Sequence, residues 1–453
     1  MSSFENDLSQ GHVVKQLIRF SMPCLLSNII QSLYGMADMV IVGQFTGTVS
    51  MSGVNIGSQV TFLLTNMVFG LSVGATVLIG QYLGAGDRKS MKETIGTLFT
   101  SLLFLSLFLT VIMIALEVPL LRLIRTPAES FSEAKSYFFI TMLGTVFIFG
   151  YNALSSVLRG MGESKNPLLF VSIACVINVG LDLLFVAVFH MGASGAAIAT
   201  VFAQAISMIL CILYLKKNNF IFDFKRSSFG FHRERLKLLL KIGIPASIQN
   251  VATSMSFLFL TGLVNTLGVT SSAAVGAVGK LNGFAILPAI AMSTSISAMS
   301  AQNLGAGREK RAVQTMQIGM VIAICFSITI FVIVRLIPEA CLSIFGNDRE
   351  MIEKGVIYLG TFSLDYIIVP FLFCLNGLFI GAGHTTFSLI NNTMSALLVR
   401  IPSAYLFGIV MNKGLAGVGL GAPTASFLSL IIAMIFFLSG KWKKNIILHR
   451  QDT

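Results

Sequence analysis

The sequence predicts an all-α polytopic membrane protein, with twelve transmembrane helices in two parallel six-helix repeats. Three observations predict it. Of 453 residues, 55% are hydrophobic and 11% charged, with mean hydropathy +0.84, whereas a soluble domain carries about 25% charged residues. Apolar runs long enough to cross a ~30 Å hydrocarbon layer recur along the whole chain. The stretch QYLGAGDRK at 81–89 returns as QNLGAGREK at 302–310, an offset of 221 residues.

The apolar runs lie at about 16–43, 52–80, 94–117, 132–157, 166–190, 192–215, 236–265, 272–301, 313–337, 353–380, 386–411 and 414–440. The pair 166–190 and 192–215 requires a very tight turn. Other landmarks repeat at the same distance. MPCLLSN (22–28) aligns with IPASIQN (244–250), pairing Pro23, an expected helix kink, with Pro245. RGMGE (159–163) aligns with IGAGH (380–384), and MGASGAAIA (191–199) with KGLAGVGLG (413–421). An even number of spans per half makes both halves enter the membrane in the same orientation, an arrangement used by transporters built from repeats. The expected division is an N-terminal lobe 1–215, a linker 216–235, a C-terminal lobe 236–440 and a basic tail 441–453.

LGAG then reads as a turn. It closes the second helix of each half, where glycine can adopt the left-handed C-cap conformation. A phosphate-binding reading fails on context, since no strand precedes it and no Walker lysine-serine follows.

The net charge of +12 could suggest nucleic acid, but its placement excludes that reading. Alternating loops put 22 Lys/Arg on the side of the N-terminus and 7 on the other, with Lys280 and Arg400 inside apolar spans. By the positive-inside rule both termini and the linker are cytoplasmic, in a multi-pass plasma (inner) membrane protein. The linker's basic residues are expected to face anionic lipid headgroups. No cleavable signal peptide is expected, because the first apolar run follows a polar start without a small-residue cleavage site. Six cysteines without CxxC spacing read as small buried hydrophobes and point to neither a metal nor a disulfide framework.

Charges at membrane depth are costly and mark candidate sites. Counting ~1.5 Å per residue, Asp38 in span 1 lies ~9 Å from the outer surface and Asp182 in span 5 ~12 Å. Asn178 is one turn from Asp182 on the same face, and Thr200 in span 6 is again ~12 Å deep. Two carboxylates, an amide and a hydroxyl from three helices therefore share a depth. They offer hard oxygen ligands to a small cation, or a carboxylate that holds a proton. The same residues could also serve only to bond neighbouring helices. In the second half Lys280, Asp365 and Arg400 fall ~12–17 Å deep, and their opposite signs suggest internal ion pairing or a role in substrate passage.

With no evident ATP engine, three classes remain: an ion-coupled transporter, a flippase for lipid-linked precursors, and a membrane-embedded enzyme. An enzyme would present His/Asp or Ser/His sets at one depth, and none is visible. Neither catalysis nor a resident cofactor is expected.

YGMADMVIVGQ (34–44), Pro23 upstream of it and the duplicated QxLGAG together resemble the multidrug and toxic compound extrusion (MATE) family across essentially all twelve spans. Within that family the chain is similar to the branch of the DNA-damage-inducible F proteins. That branch carries an aspartate in span 1, an Asn-x-x-x-Asp pair in span 5 and a threonine in span 6, matched here by Asp38, Asn178, Asp182 and Thr200. The resemblance implies a V-shaped two-lobe fold and efflux of cationic amphipathic compounds in exchange for H⁺ or Na⁺. A monomer with no partner but its small-molecule substrate and the bilayer is expected. Gln31 and Tyr34 share a face of span 1 with Asp38 and would line the cavity. One departure concerns Thr253, which stands where the sodium-coupled branch carries a glutamate, so the first lobe is the expected coupling site.

Overall fold

A computed structural model describes residues 6–218, 220–346 and 348–444. Every regular element among them is helical. A chain immersed in hydrocarbon requires this, because an open strand edge leaves N–H and C=O groups unsatisfied. The first half contains α1 (Val13–Ala85), α2 (Arg88–Ala115), α3 (Phe131–Leu143), α4 (Thr145–Gly160), α5 (Lys165–Asp182) and α6 (Gly192–Lys217). The second contains α7 (Arg233–Asn265), α8 (Val269–Ala285), α9 (Leu287–Gly305), α10 (Glu309–Leu336), α11 (Arg349–Phe362) and α12 (Asp365–Gly381). It ends with α13 (Thr385–Thr393) and α14 (Gly421–Leu438).

Nine stretches among the described residues are long and apolar enough to cross a membrane, and two bent helix pairs join them if each is one crossing. The 73-residue α1 is broken at Gly47 (φ 82°, ψ −174°) and so supplies two crossings. With that division the helices answer to the apolar runs of the sequence.

The repeat is written into the backbone. Gly47 and Gly268, Gly86 and Gly307, and Gly162 and Gly383 all have positive φ, each pair 221 residues apart. Both LGAG turns are Schellman caps. Gly86 N–H donates to Leu83 O (3.1 Å) and Asp87 N–H to Tyr82 O (2.9 Å), while Gly307 and Arg308 bond Leu304 and Asn303 in the same way (3.1 and 2.7 Å). The bends recur too: 51° between α3 and α4, and 48° between α11 and α12. Further on, the positive-φ residues His190 and Gly192 are matched by Asn412 and Gly414, now 222 apart. A π-helical stretch, Met394–Arg400, follows α13 and takes up the extra residue. The tight turn expected after span 5 is made by Phe189–Met191, and Glu133 of α3 caps the start of α6 by accepting from Ala193 N–H at 2.8 Å.

The chain packs as two compact units. The described residues of Met1–Asp7 together with Leu26–Ser247 form the first, and those of Leu8–Leu25 and Ile248–Thr453 the second. The expected lobes divided at the linker. The packing instead cuts the chain just after Pro23 in span 1 and just after Pro245 in span 7, at equivalent places in the repeat. Inside the first unit the start of α7 is held by Arg235, whose guanidinium donates to Glu93 (3.1 Å), Tyr82 Oη (2.9 Å) and Ser90 Oγ (2.7 Å). Higher on α7, Gly243 lies against Gly70 of α1 so closely that a Cβ on Gly70 would meet Gly243 O at 2.3 Å. Glycine is required there by close approach. The linker also belongs to the first unit, where His232 N–H donates to Thr97 Oγ1 at 3.2 Å. Of the expected basic tail, Lys441–Lys443 form a short turn with Trp442 buried, and 445–453 lie outside the described residues.

Candidate functional site

Within the first unit, Asp38 of α1, Asn178 and Asp182 of α5 and Thr200 of α6 come together as one cluster. Three features of the local sequence bring them there. Asn178 and Asp182 are four residues apart and project from one face of α5. The facing turns of α6 are small: Ala193, Ala196, Ala197, Ala199 and Ala203 are all fully buried, which lets the helices approach closely. Around the cluster Ile41, Val42, Val54 and Val186 form an apolar shell. Asn178 and Asp182 are completely buried and Asp38 is 6% exposed.

Asn178 is the hub. Its amide nitrogen donates to Asp38 Oδ1 at 2.7 Å and to Asp182 Oδ2 at 3.1 Å, while its oxygen accepts from Thr200 N–H at 3.2 Å. This orientation of the amide satisfies both of its ends, and the oxygen also faces the Thr200 hydroxyl at 3.4 Å. One neutral side chain thus ties two buried carboxyls together. Those carboxyls are themselves hydrogen-bonded to each other, which requires a proton between them. Asp182 Oδ1 is buried without a hydrogen-bond partner, as is the Tyr34 hydroxyl on the same face of α1. The cluster therefore has acceptor capacity that its own residues leave unused. Among the described residues no group of three or more His, Cys, Asp or Glu could hold a metal ion.

Tyr137 of α3 is a member that the depth count does not find. It is 5% exposed, its hydroxyl is directed at Thr200, and it acts electrostatically on both aspartates. Gly57 of α1 makes room for its ring, since a Cβ there would come 2.5 Å from Cδ1. The available signal is the repeat, because Tyr358 lies 221 residues on and is also buried. Gln31 is exposed, two turns from Asp38 along α1, and is not in the cluster.

In the second unit the three expected charges do not form an ion-paired network. Lys280 is exposed on α8. Asp365 is buried at the first residue of α12, immediately after the 48° bend, where a helix N-terminus favours an anion. Arg400 stacks its guanidinium over the Phe257 ring at 5.0 Å and leaves Nε and Nη1 buried without partners. Arg400 acts on Asp365 through space, and no salt bridge within 4.0 Å joins any of the three among the described residues. The depth count placed them at one level, and helix rotation turned them apart. Thr253 is half-buried and donates to Gln249 O on its own helix at 2.9 Å.

Comparison with known proteins places this geometry in context. A family model described as MatE matches the chain twice, at residues 23–184 and 245–406. The probable multidrug resistance protein YpnP of Bacillus subtilis (strain 168) is 31% identical, with 96% of this chain and 97% of that protein covered. The probable multidrug resistance protein NorM of Thermotoga maritima is 27% identical, covering 99% and 98%. A solved outward-facing structure of a multidrug resistance MATE family transporter superposes over 100% of both chains with TM-score 0.90 at 22% identity.

Proposed function

The chain belongs to the MatE family of membrane transporters, and from that premise we propose that it exports cationic amphipathic compounds in exchange for an inward-moving H⁺ or Na⁺. The observation that carries the reading is the pair of buried carboxyls held by Asn178. Both aspartates cannot stay ionised side by side in a dry site unless a positive charge joins them. A proton, a sodium ion or the cationic end of a substrate can each meet that need, but no two of them together. Mutually exclusive occupancy becomes exchange when the site is open to one side of the membrane at a time.

Each residue then has a part. Asp38 and Asp182 carry the exchangeable charge, and the unused Asp182 Oδ1 supplies an acceptor. Asn178 fixes the distance between the carboxyls and cannot itself titrate. Thr200 holds Asn178 in register, and Tyr34 and Tyr137 supply hydroxyls around the pair. A flippase for lipid-linked precursors would need cationic groups to grip pyrophosphate. The cluster in the first unit has the opposite sign, which favours the antiporter. We place the protein in the plasma (inner) membrane as a monomer with both termini cytoplasmic, in keeping with the distribution of lysine and arginine.

The test is efflux of a fluorescent quaternary amine from proteoliposomes under separately imposed proton and sodium gradients. One gradient should drive efflux and the other should not. Efflux indifferent to both would refute ion coupling.

A further inference from the structure

At the end of the first unit that carries the linker, an apolar slot of about 170 Å³ opens between α2, α4 and α6. Phe99 and Leu103 of α2, Gly150 of α4 and Met208 of α6 form its walls, and Phe224 and Phe229 of the linker form its roof. The slot exists because Gly150 has no side chain: a Cβ there would meet Met208 Sδ at 2.3 Å. It has room for about six methylene-sized groups if each takes the ~30 Å³ of a liquid water. Every lining residue is apolar or glycine, so water has nothing to bond there. Next along α2, Phe104, Leu107 and Phe108 are 65%, 50% and 62% exposed, which identifies this flank as facing lipid tails.

The roof is built at a conformational cost. Phe224 has φ 54°, a left-handed backbone that a bulky side chain rarely adopts. The strain is held by aromatic packing, with Phe224 stacked on Phe99 (centroids 6.1 Å apart) and on Phe220 (6.0 Å) and edge-on to Phe222 (5.3 Å). Gly96 lets the linker lie against α2, since a Cβ there would meet Ser228 O at 2.4 Å. Cations gather on the roof. Lys216 Nζ sits 5.8 Å over the Phe224 ring, and Lys217, Lys225 and Arg226 are exposed beside it. The local carboxylate, Asp223, is engaged by Ser228 Oγ at 2.6 Å.

We propose that the slot holds an acyl chain of an anionic glycerophospholipid, with its phosphate on Lys216 and Arg226 and the linker aromatics as its lid. An apolar recess at tail depth beneath a cationic rim complements a molecule with a chain and an anionic head. The lipid would fasten the linker to the first unit.

The experiment uses the full-length protein in nanodiscs containing phosphatidylglycerol or phosphatidylcholine with a diazirine in the acyl chain. After irradiation, labelled peptides are mapped by mass spectrometry. The expected result is label on Phe99–Leu103 and around Gly150 and Met208, several-fold stronger with phosphatidylglycerol. Met208→Trp should fill the slot and remove that label. Lys216→Gln with Arg226→Gln, both on exposed side chains, should keep the label but abolish the headgroup preference. Equal labelling by the two lipids in the unaltered protein, label elsewhere only, or displacement by a transported amine in place of lipid would each overturn the proposal. None of these readouts depends on transport.

Discussion

Where the first unit places Asn178, the second places Arg400, 222 residues on. The same register sets Asp38 against Leu260, Asp182 against Ala404 and Thr200 against Ala422, while Tyr137 keeps its counterpart Tyr358 at 221. The two units therefore share a backbone and not a polar centre. What repeats is what shapes helices: the left-handed glycines, the prolines of spans 1 and 7, the bends after α3 and α11, and the Schellman caps. What diverges is charge. The first unit joins two carboxyls through a neutral amide, and the second puts a permanent guanidinium near one carboxylate. An arginine is never deprotonated in a protein, so the second centre carries a fixed cation where the first needs an exchangeable one. Duplication gave two scaffolds, and coupling can rest on one of them.

The sharpest way to break this comparison is to neutralise the first centre. Asp38→Asn and Asp182→Asn should each cut gradient-driven efflux by about tenfold or more, as a coupling free energy of ~1–3 kcal/mol requires. Expression and thermal stability should stay near those of the unaltered chain, because the amide keeps the size of the carboxyl. Next in size is Asn178→Ala, which removes the donor shared by both aspartates. It should cost about 1–3 kcal/mol of stability and weaken efflux several-fold, both readable from thermal melts and proteoliposome assays on one preparation.

A steric contrast tests the scaffolds themselves. Gly70 corresponds to Ala291 in the second unit, yet a Cβ at Gly70 would meet Ser247 Oγ at 2.1 Å and Gly243 O at 2.3 Å. Gly70→Ala should destabilise by about 1–3 kcal/mol, although alanine is what the repeat carries elsewhere. Gly180→Ala, with nothing within 4 Å of its Cβ, should be neutral or stabilise by up to ~1 kcal/mol. The smallest effect on coupling is expected from Asp365→Asn. It should change efflux of any one amine by less than about threefold, within the spread of an ordinary substitution, and alter substrate range or expression more. A loss of coupling as deep as that of Asp38→Asn would erase the distinction between the units.

The comparison also explains what was legible in the sequence. Helices, their number and the duplication follow from apolar length and from glycines whose φ must be positive, so the pattern announces them. Asp38, Asn178, Asp182 and Thr200 were found because membrane depth is a single coordinate that counting along a helix can supply. Depth says nothing about rotation. Lys280 and Arg400 were therefore grouped with Asp365 when their helices point them differently, and Gln31 was grouped with Asp38 when it faces outward. Tyr137 was missed for the complementary reason: a tyrosine in an apolar span carries no charge to flag it, and only its buried hydroxyl beside the aspartates shows its place. The packing cut after Pro23 and Pro245 was hidden as well, since composition changes at the linker and not inside a helix.

The most direct test of a single exchange site in the first unit is equilibrium binding of radiolabelled tetraphenylphosphonium to the purified protein. It is titrated against H⁺ and against Na⁺ in the unaltered chain, Asp38→Asn and Asp365→Asn. One of the two ions should displace the label competitively from the unaltered protein and from Asp365→Asn, while Asp38→Asn should bind weakly and lose that ion dependence. Undiminished ion competition in Asp38→Asn, or its loss in Asp365→Asn alone, would place the exchange site outside the first unit.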